Sequence, residues 1–211
     1  HIPDSLDFDE AAMAEPASSV IACQENNNVS LGDTVVVIGD GPIGCLHLEV
    51  ARARGASRTI MVGLNRLDMA AQFNPDYIIN SATQDPVEEV RKITGGLGAD
   101  IAICAAPVTS IQEQAVEMVR KRGRVVLFGG VSKNNPMTTL NSNLIHYNEI
   151  TVVGSFSYPA TGLAKAIDLI AAGKISAKKY VTKRVKLEEI PEGMAWAQEG
   201  KALRVAVKPW L

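Results

Sequence analysis

A doubly wound α/β fold, with one parallel sheet of six strands and helices on both faces, is predicted for this chain by three observations. Strand-like and helix-like segments alternate from about residue 33 to 155. The apolar run Thr34-Val-Val-Val-Ile passes into a helical pattern through Gly39, Gly41 and Gly44, at G-x-G-x-x-G spacing. The strands are continuous apolar runs rather than alternating ones, as strands buried on both faces must be.

Taken in order, the first strand is 34–38, where Val35, Val36, Val37 and Ile38 are too apolar to face water on either side. Gly39 permits a tight turn out of it, Gly41 lets the backbone approach a pyrophosphate, and Gly44 lets helix and strand pack closely. Pro42 stands in the first helical turn, where a missing N–H costs least. Ile43, Leu46, Leu48, Val50 and Ala51 carry the helix on to Gly55. Such a helix start offers unpaired N–H groups and about half a positive charge to a phosphate. Gly39, Gly41, Pro42, Ile43 and Gly44 are therefore candidate dinucleotide-binding residues.

Strands at 58–62 and 77–79 follow, with a helix of barely two turns over 66–73 between them. Further strands are expected at 100–104, 124–128 and 150–154. In the helix over 110–121, Ile111, Ala115, Met118 and Val119 share one face, and Gln112, Glu113, Glu117 and Lys121 lie outside it. Gly123 is expected to stop that helix before Arg124. Right-handed crossovers then predict the strand order 3-2-1-4-5-6, with ligand at the carboxyl edge. The sixth strand lies at the sheet edge and is rich in β-branched residues. Pairing of residues 149–156 between two copies, in a homodimer or tetramer, is expected there.

After Gly154 come a helix over 160–172 ended by Gly173, a strand at 181–185, a helix over 187–198 and a strand at 203–208. These exceed a six-stranded nucleotide fold. The expected organisation is 1–20 as a connector from a second domain, 21–155 as the dinucleotide-binding domain, and 156–211 as a segment returning to the second domain.

Composition narrows the partners. Of the 211 residues 46% are hydrophobic and 21% charged, and the net charge is −2 with Lys and Arg dispersed. That argues against nucleic acid and against an anionic membrane surface. The apolar runs are strand-length, and His1-Ile2-Pro3-Asp4 opens no signal-peptide pattern. Cys23, Cys45 and Cys104 are too scattered for a zinc lobe and read as small core residues in a reducing, cytoplasmic compartment. His47 and His146 have no carboxylate or metal motif beside them and read as structural, so no catalytic residue is assigned within the chain.

Three stretches resemble a family: Leu6-Asp-Phe-Asp-Glu-Ala-Ala-Met-Ala-Glu-Pro, Gly32-Asp-Thr-Val-Val-Val-Ile-Gly-Asp-Gly-Pro-Ile-Gly, and Gly123-Arg-Val-Val-Leu-Phe-Gly-Gly. They are similar to the zinc-dependent medium-chain dehydrogenases. Asn143-Leu-Ile-His-Tyr-Asn-Glu-Ile-Thr-Val-Val-Gly-Ser-Phe is most similar to the sorbitol, threonine and related polyol or alcohol dehydrogenases. The resemblance runs from Leu6 to Pro209. It implies a Rossmann domain joined to a GroES-like catalytic domain, with remnants of the latter at both ends of this chain. The implied reaction is hydride transfer between an alcohol or polyol carbon and NAD or NADP, with the alkoxide held on zinc.

In that family most zinc ligands lie ahead of the segment matching residue 1. Within this chain, Glu15 in Ala14-Glu15-Pro16 matches the acidic ligand of the polyol dehydrogenases. One carboxylate cannot hold zinc, so the chain is expected to be mainly a coenzyme-binding portion, inactive by itself. The resemblance also implies that Ser19 lies near the nicotinamide and Ala105, with Ala106, beside the adenosine. Gly130, Val131, Ser155 and Phe156 match the backbone meeting the carboxamide, and Arg204 matches a basic residue at the pyrophosphate.

One departure concerns coenzyme choice. An acid about 20 residues beyond the glycines normally binds the adenosine ribose, and its loss relaxes NAD selectivity by about one to two orders of magnitude. Here Gly63 ends the second strand, and Leu64-Asn65-Arg66 follow. Gly63, Asn65 and Arg66 suit a 2′-phosphate, held by the guanidinium fork. The stretch from Val62 to Asp76 is shorter than the family pattern, and Asn74-Pro75-Asp76 replaces its usual Gly-Ala-Asp. The chain is short there or lacks residues, so NAD and NADP both remain open. Two other readings stay beside the leading one: a zinc-free quinone reductase-like enzyme and a non-catalytic nucleotide-binding module.

Overall fold

Strand β1 (Thr34–Ile38) runs through the middle of a six-stranded sheet, and its last four residues are at most 3% exposed. The computed structural model describes residues 1–210. With β2 (Arg58–Gly63), β3 (Tyr77–Asn80), β4 (Ala99–Cys104), β5 (Val119–Leu127) and β6 (Thr151–Gly154), the order is β3-β2-β1-β4-β5-β6 and every pairing is parallel. Ile38 pairs with Val62 on one side and Cys104 on the other, so the order reverses at β1. A crevice at the carboxyl ends of the strands follows from that reversal.

Alternation along β1 builds two cores. Val35 and Val37 point into a layer shared with α2 (Ala14–Asn26), α3 (Pro42–Ala53) and α8 (Gly162–Ala171), while Val36 and Ile38 point into one shared with α5 (Pro86–Ile93) and α6 (Thr109–Met118). Helix α1 (Phe8–Ala12) precedes α2, and α2 runs unbroken through residues 20 and 21, where the sequence suggested a boundary. Helix α4 (Leu67–Ala71) is shorter than expected, and Asn74 turns the chain after it with φ +51. Asp76 then accepts from the backbone N–H of Thr59 (2.7 Å), which ties that short loop to β2.

Gly123 does not stop the preceding helix. Helix α6 ends at Met118 and the chain becomes extended at once. The left-handed turn falls on Arg122 (φ +62), whose N–H donates to the Asn148 carbonyl. Gly123 is needed for space instead, since a Cβ there would stand 2.7 Å from the Arg120 carbonyl oxygen. Helix α7 (Ser142–Tyr147) was not anticipated; Asn141 starts it by accepting from the Leu144 N–H. It carries His146, which is exposed.

The C-terminal segment forms its own small unit. Strands β7 (Val181–Val185) and β8 (Arg204–Val207) pair only with each other, with α9 (Ile190–Gln198) between them. A 3₁₀ turn over Leu187–Glu189 replaces the first part of the expected helix, and Pro191 then takes a first-turn position in α9. Glu49 on α3 locks this segment to the nucleotide fold, accepting from the Tyr180 hydroxyl (2.6 Å) and the Ser176 N–H (3.0 Å). Among the described residues no helix is long and apolar enough to cross a membrane.

Candidate functional site

The glycine turn at the end of β1 has three distinct jobs. Gly39 has φ +128, donates its N–H to the Val62 carbonyl (2.8 Å), and lies so close to Ala105 and Ala106 that a Cβ would reach the Ala106 nitrogen at 3.0 Å. Gly44 brings helix onto strand: a Cβ there would be 1.8 Å from the Gly39 carbonyl oxygen. Gly41 is different. Its φ of −82° suits any residue, and the nearest atom to an added Cβ is an Arg66 guanidinium nitrogen at 3.9 Å. It caps α3 without a side-chain hydrogen bond, and Pro42 opens the helix. The first N–H groups of α3, at Ile43 and Gly44, are thus left to an outside acceptor.

The rest of the carboxyl edge continues this surface. Ala105 donates its N–H to the Ile38 carbonyl (2.8 Å), and Ser155 donates to that of Leu127 (3.1 Å). Gly130 has nothing within 4 Å of an added Cβ, Val131 is half-buried, and Phe156 is 92% exposed. The structure therefore gathers Gly39, Gly41, Pro42, Ile43, Gly44, Ala105, Gly130, Val131, Ser155 and Phe156 along one edge of the sheet.

At the end of β2 the arrangement differs from the sequence expectation. Asn65 is exposed, while the Arg66 side chain folds back between Gly41 and the end of α9. Its Nη2 donates to the Ala197 carbonyl (3.3 Å), and its Nε is buried with no partner. An added Cβ at Gly63 would stand 2.5 Å from the Cβ of Asp40. The Asp40 carboxylate accepts from the N–H groups of Leu64 (2.8 Å) and Arg66 (2.6 Å). Asp40 escaped the sequence reading; the available signal was an acid inside the glycine motif, opposite a strand end that lacks one.

Glu15 and Ser19 are carried by α2, and Arg204 opens β8. Glu15 is exposed in the first turn of α2 and accepts from the Tyr158 hydroxyl (3.2 Å). The Ser19 hydroxyl donates to the Pro16 carbonyl (2.8 Å). Arg204 and Glu15 line a cavity of about 220 Å³ together with Asp9, Pro16 and Val181. Burial lowers the Arg204 pKa, nearby Glu15 opposes that, and the Arg204 Nε is buried without a partner.

These residues fit an anionic coenzyme and do not fit a metal. The Arg66 guanidinium, with Nη1 at Gly41 beside an uncapped helix start, is what a pyrophosphate would pair with. No group of three or more His, Cys, Asp or Glu residues is placed to hold a metal ion among the described residues. Burial pushes the thiols of Cys23, Cys45 and Cys104 up to about 11, 12 and 12, which keeps them protonated and poor ligands.

Comparison with known proteins gives a consistent result. Residues 42–172 match the family described as zinc-binding dehydrogenase. The chain is 34% identical over 212 residues to the sorbitol dehydrogenase of Bacillus subtilis (strain 168), covering 99% of this chain and 59% of that protein. It superposes on the crystal structure of 2R,3R-butanediol dehydrogenase from Bacillus subtilis with a TM-score of 0.90 and 28% identity, covering 99% of this chain and 60% of that one. A putative zinc-binding dehydrogenase from Sinorhizobium meliloti 1021, bound to NADP, gives a TM-score of 0.86 at 26% identity, covering 92% of this chain and 57% of that one. The chain spans about three-fifths of the length of the relatives it matches.

Proposed function

We propose, for a chain that belongs to the zinc-binding dehydrogenase family, the role of coenzyme-binding portion in an NAD(P)-dependent alcohol or polyol dehydrogenase. The observation that carries this is the uncapped start of α3 behind an unobstructed Gly41, flanked by the Arg66 guanidinium, whose Nη1 is the nearest atom to an added Cβ there. A bound nicotinamide coenzyme would supply the hydride acceptor for a carbinol carbon. What this chain contributes is binding and orientation. Ile43 and Gly44 offer the pyrophosphate their free backbone N–H groups, and Gly39, Gly41 and Pro42 shape the turn that lets it approach. Arg66, whose guanidinium stands at Gly41, neutralises the pyrophosphate rather than a 2′-phosphate, and Arg204 supplies a second cation. Ala105 flanks the adenosine, with Gly63 and Asn65 at its ribose. Gly130, Val131, Ser155 and Phe156 frame the carboxamide, and Ser19 lies on the nicotinamide side.

Zinc belongs to the intact protein in this reading, with Glu15 as one ligand and the others drawn from sequence outside this chain. No step is assigned to it here, because a lone carboxylate cannot hold it. The division into 1–20, 21–155 and 156–211 follows the same reading. Three free, buried thiols support a reducing cytoplasmic setting. The chain is expected to bind NADH or NADPH in calorimetry yet to oxidise no alcohol or polyol with zinc added. Absence of binding would overturn the coenzyme role, and zinc-dependent turnover by this chain would overturn its assignment as a portion.

An assembly follows from the sheet edge. Strand β6 pairs with β5 alone, and the C-terminal strands pair with each other instead of covering it. We assign this edge to a twofold contact that joins two sheets and satisfies both rows of backbone groups. The chain should sediment as a dimer, and Val152→Pro, with a native far-UV spectrum, as a monomer. A parent that stays monomeric at high concentration would defeat the proposal.

A further inference from the structure

We propose that Asp40 supplies the ribose-binding carboxylate that the end of β2 lacks, and thereby makes the site select a coenzyme without a 2′-phosphate. This rests on the coenzyme-binding reading above. In this fold the acid that receives the adenosine ribose hydroxyls stands at the end of the second strand, about 20 residues beyond the glycines. That position is Gly63, and its missing side chain is what makes room for Asp40. A Cβ at Gly63 would fall 2.5 Å from the Asp40 Cβ, 2.7 Å from its Cγ and 2.6 Å from Leu67 Cδ2, so an acid on β2 would displace the Asp40 side chain from its present place, and Leu67 with it. The same volume holds one carboxylate in either case, reached here from the glycine turn rather than from the strand.

The carboxylate is fixed for this task. Its Oδ2 accepts from the N–H groups of Leu64 (2.8 Å) and Arg66 (2.6 Å), which sets its orientation against the loop after β2. Its Oδ1 makes no hydrogen bond to the described residues and is left to accept from a hydroxyl. Asp40 lies between Gly39 and Gly41, next to the turn that receives the pyrophosphate, and the adenosine ribose is the neighbouring group of the coenzyme. A ribose 2′-hydroxyl donates to such a carboxylate. A 2′-phosphate brings about two negative charges against it and has no proton to offer at neutral pH. Arg66 does not reverse this preference. Its guanidinium lies on the Gly41 side, against Ala197 and Gly200, where it serves a pyrophosphate common to both coenzymes.

Dissociation constants for NADH and NADPH, measured with the whole chain, test the assignment. The parent should favour NADH by about 10- to 100-fold, the range of one charged hydrogen bond. Asp40→Asn keeps an acceptor for the loop N–H groups and removes the charge, so it should weaken NADH and strengthen NADPH, narrowing the ratio by at least about tenfold. The double variant Asp40→Gly with Gly63→Asp returns the acid to β2 and should restore the NADH preference. Thermal unfolding of each variant separates loss of fold from loss of selectivity. A parent that prefers NADPH, or an Asp40→Asn variant that shifts both coenzymes equally, would overturn the proposal and leave Asp40 as a loop cap. A parent that binds neither coenzyme would instead overturn the coenzyme-binding reading on which it rests.

Discussion

Gly41→Val is expected to abolish coenzyme binding in a protein that still folds, whereas Gly44→Ala is expected to fail as a fold. The two glycines belong to one motif and differ in what surrounds them. An added Cβ at Gly41 meets only an Arg66 guanidinium nitrogen, at 3.9 Å, and the backbone there has φ −82°, which valine tolerates. Its structural cost is the weaker helix cap, about 1 kcal/mol. The branched side chain would then stand where the pyrophosphate must meet the backbone, and a loss of at least about 100-fold, or about 2.7 kcal/mol, is expected. A Cβ at Gly44 would lie 1.8 Å from the Gly39 carbonyl oxygen, a backbone atom at the end of a central strand. Helix and strand must separate to admit it, at a cost above about 3 kcal/mol. Urea unfolding and NADH calorimetry on both variants check the contrast. Unimpaired binding by Gly41→Val would move the pyrophosphate off this turn.

The native state is expected to lose stability on mild acidification through His47. This imidazole is fully buried on α3, with Nδ1 3.2 Å from the Gln24 side-chain nitrogen and the ring edge-on to Phe128. Burial lowers its pKa from 6.5 to about 3. Between those values the unfolded chain holds a proton that the native state refuses. The stabilisation is present in full above pH 6.5 and is lost as pH falls towards 3. The slope is about 1.4 kcal/mol per pH unit, so about 2 kcal/mol should disappear between pH 7 and pH 5. Against a typical total of about 5–15 kcal/mol that loss is large. His47→Asn removes the titration while leaving Gln24 a polar neighbour. It should lower stability at every pH yet flatten the difference between pH 7 and pH 5. An unchanged difference in urea midpoints would assign the acid sensitivity to other groups.

Much of this architecture was legible in the residues. All six strands of the large sheet stand close to where apolar runs predicted them, and for β1, β2 and β4 the reason is that a strand buried on both faces has no polar alternation to obscure it. Their order followed from the handedness of crossovers, which is a property of the backbone. Gly173, with φ +67, ends α8 as expected. Where local signals competed, the reading slipped. Gly123 looked like a helix stop and is a spacer, since Arg122 takes the left-handed turn while its N–H is held by Asn148. Helix α7 is only six residues long and shows no periodicity over that length, so its one sequence signal was the cap at Asn141.

By itself the sequence determined the secondary elements, the doubly wound sheet and the glycine turn, because each depends on steric rules acting within a few residues or on a repeat of 2 or 3.6. Only the tertiary structure decided what the polar side chains at the site do. Asp40 faces Gly63 because the parallel register pairs Ile38 with Val62. Arg66 turns towards Gly41 because the end of α9, 131 residues further along, supplies the Ala197 carbonyl. His47 is neutral because α2 and Phe128, just after β5, close over it. A backbone conformation is set by near neighbours, whereas the partner and charge of a side chain are set by whatever packing brings against it.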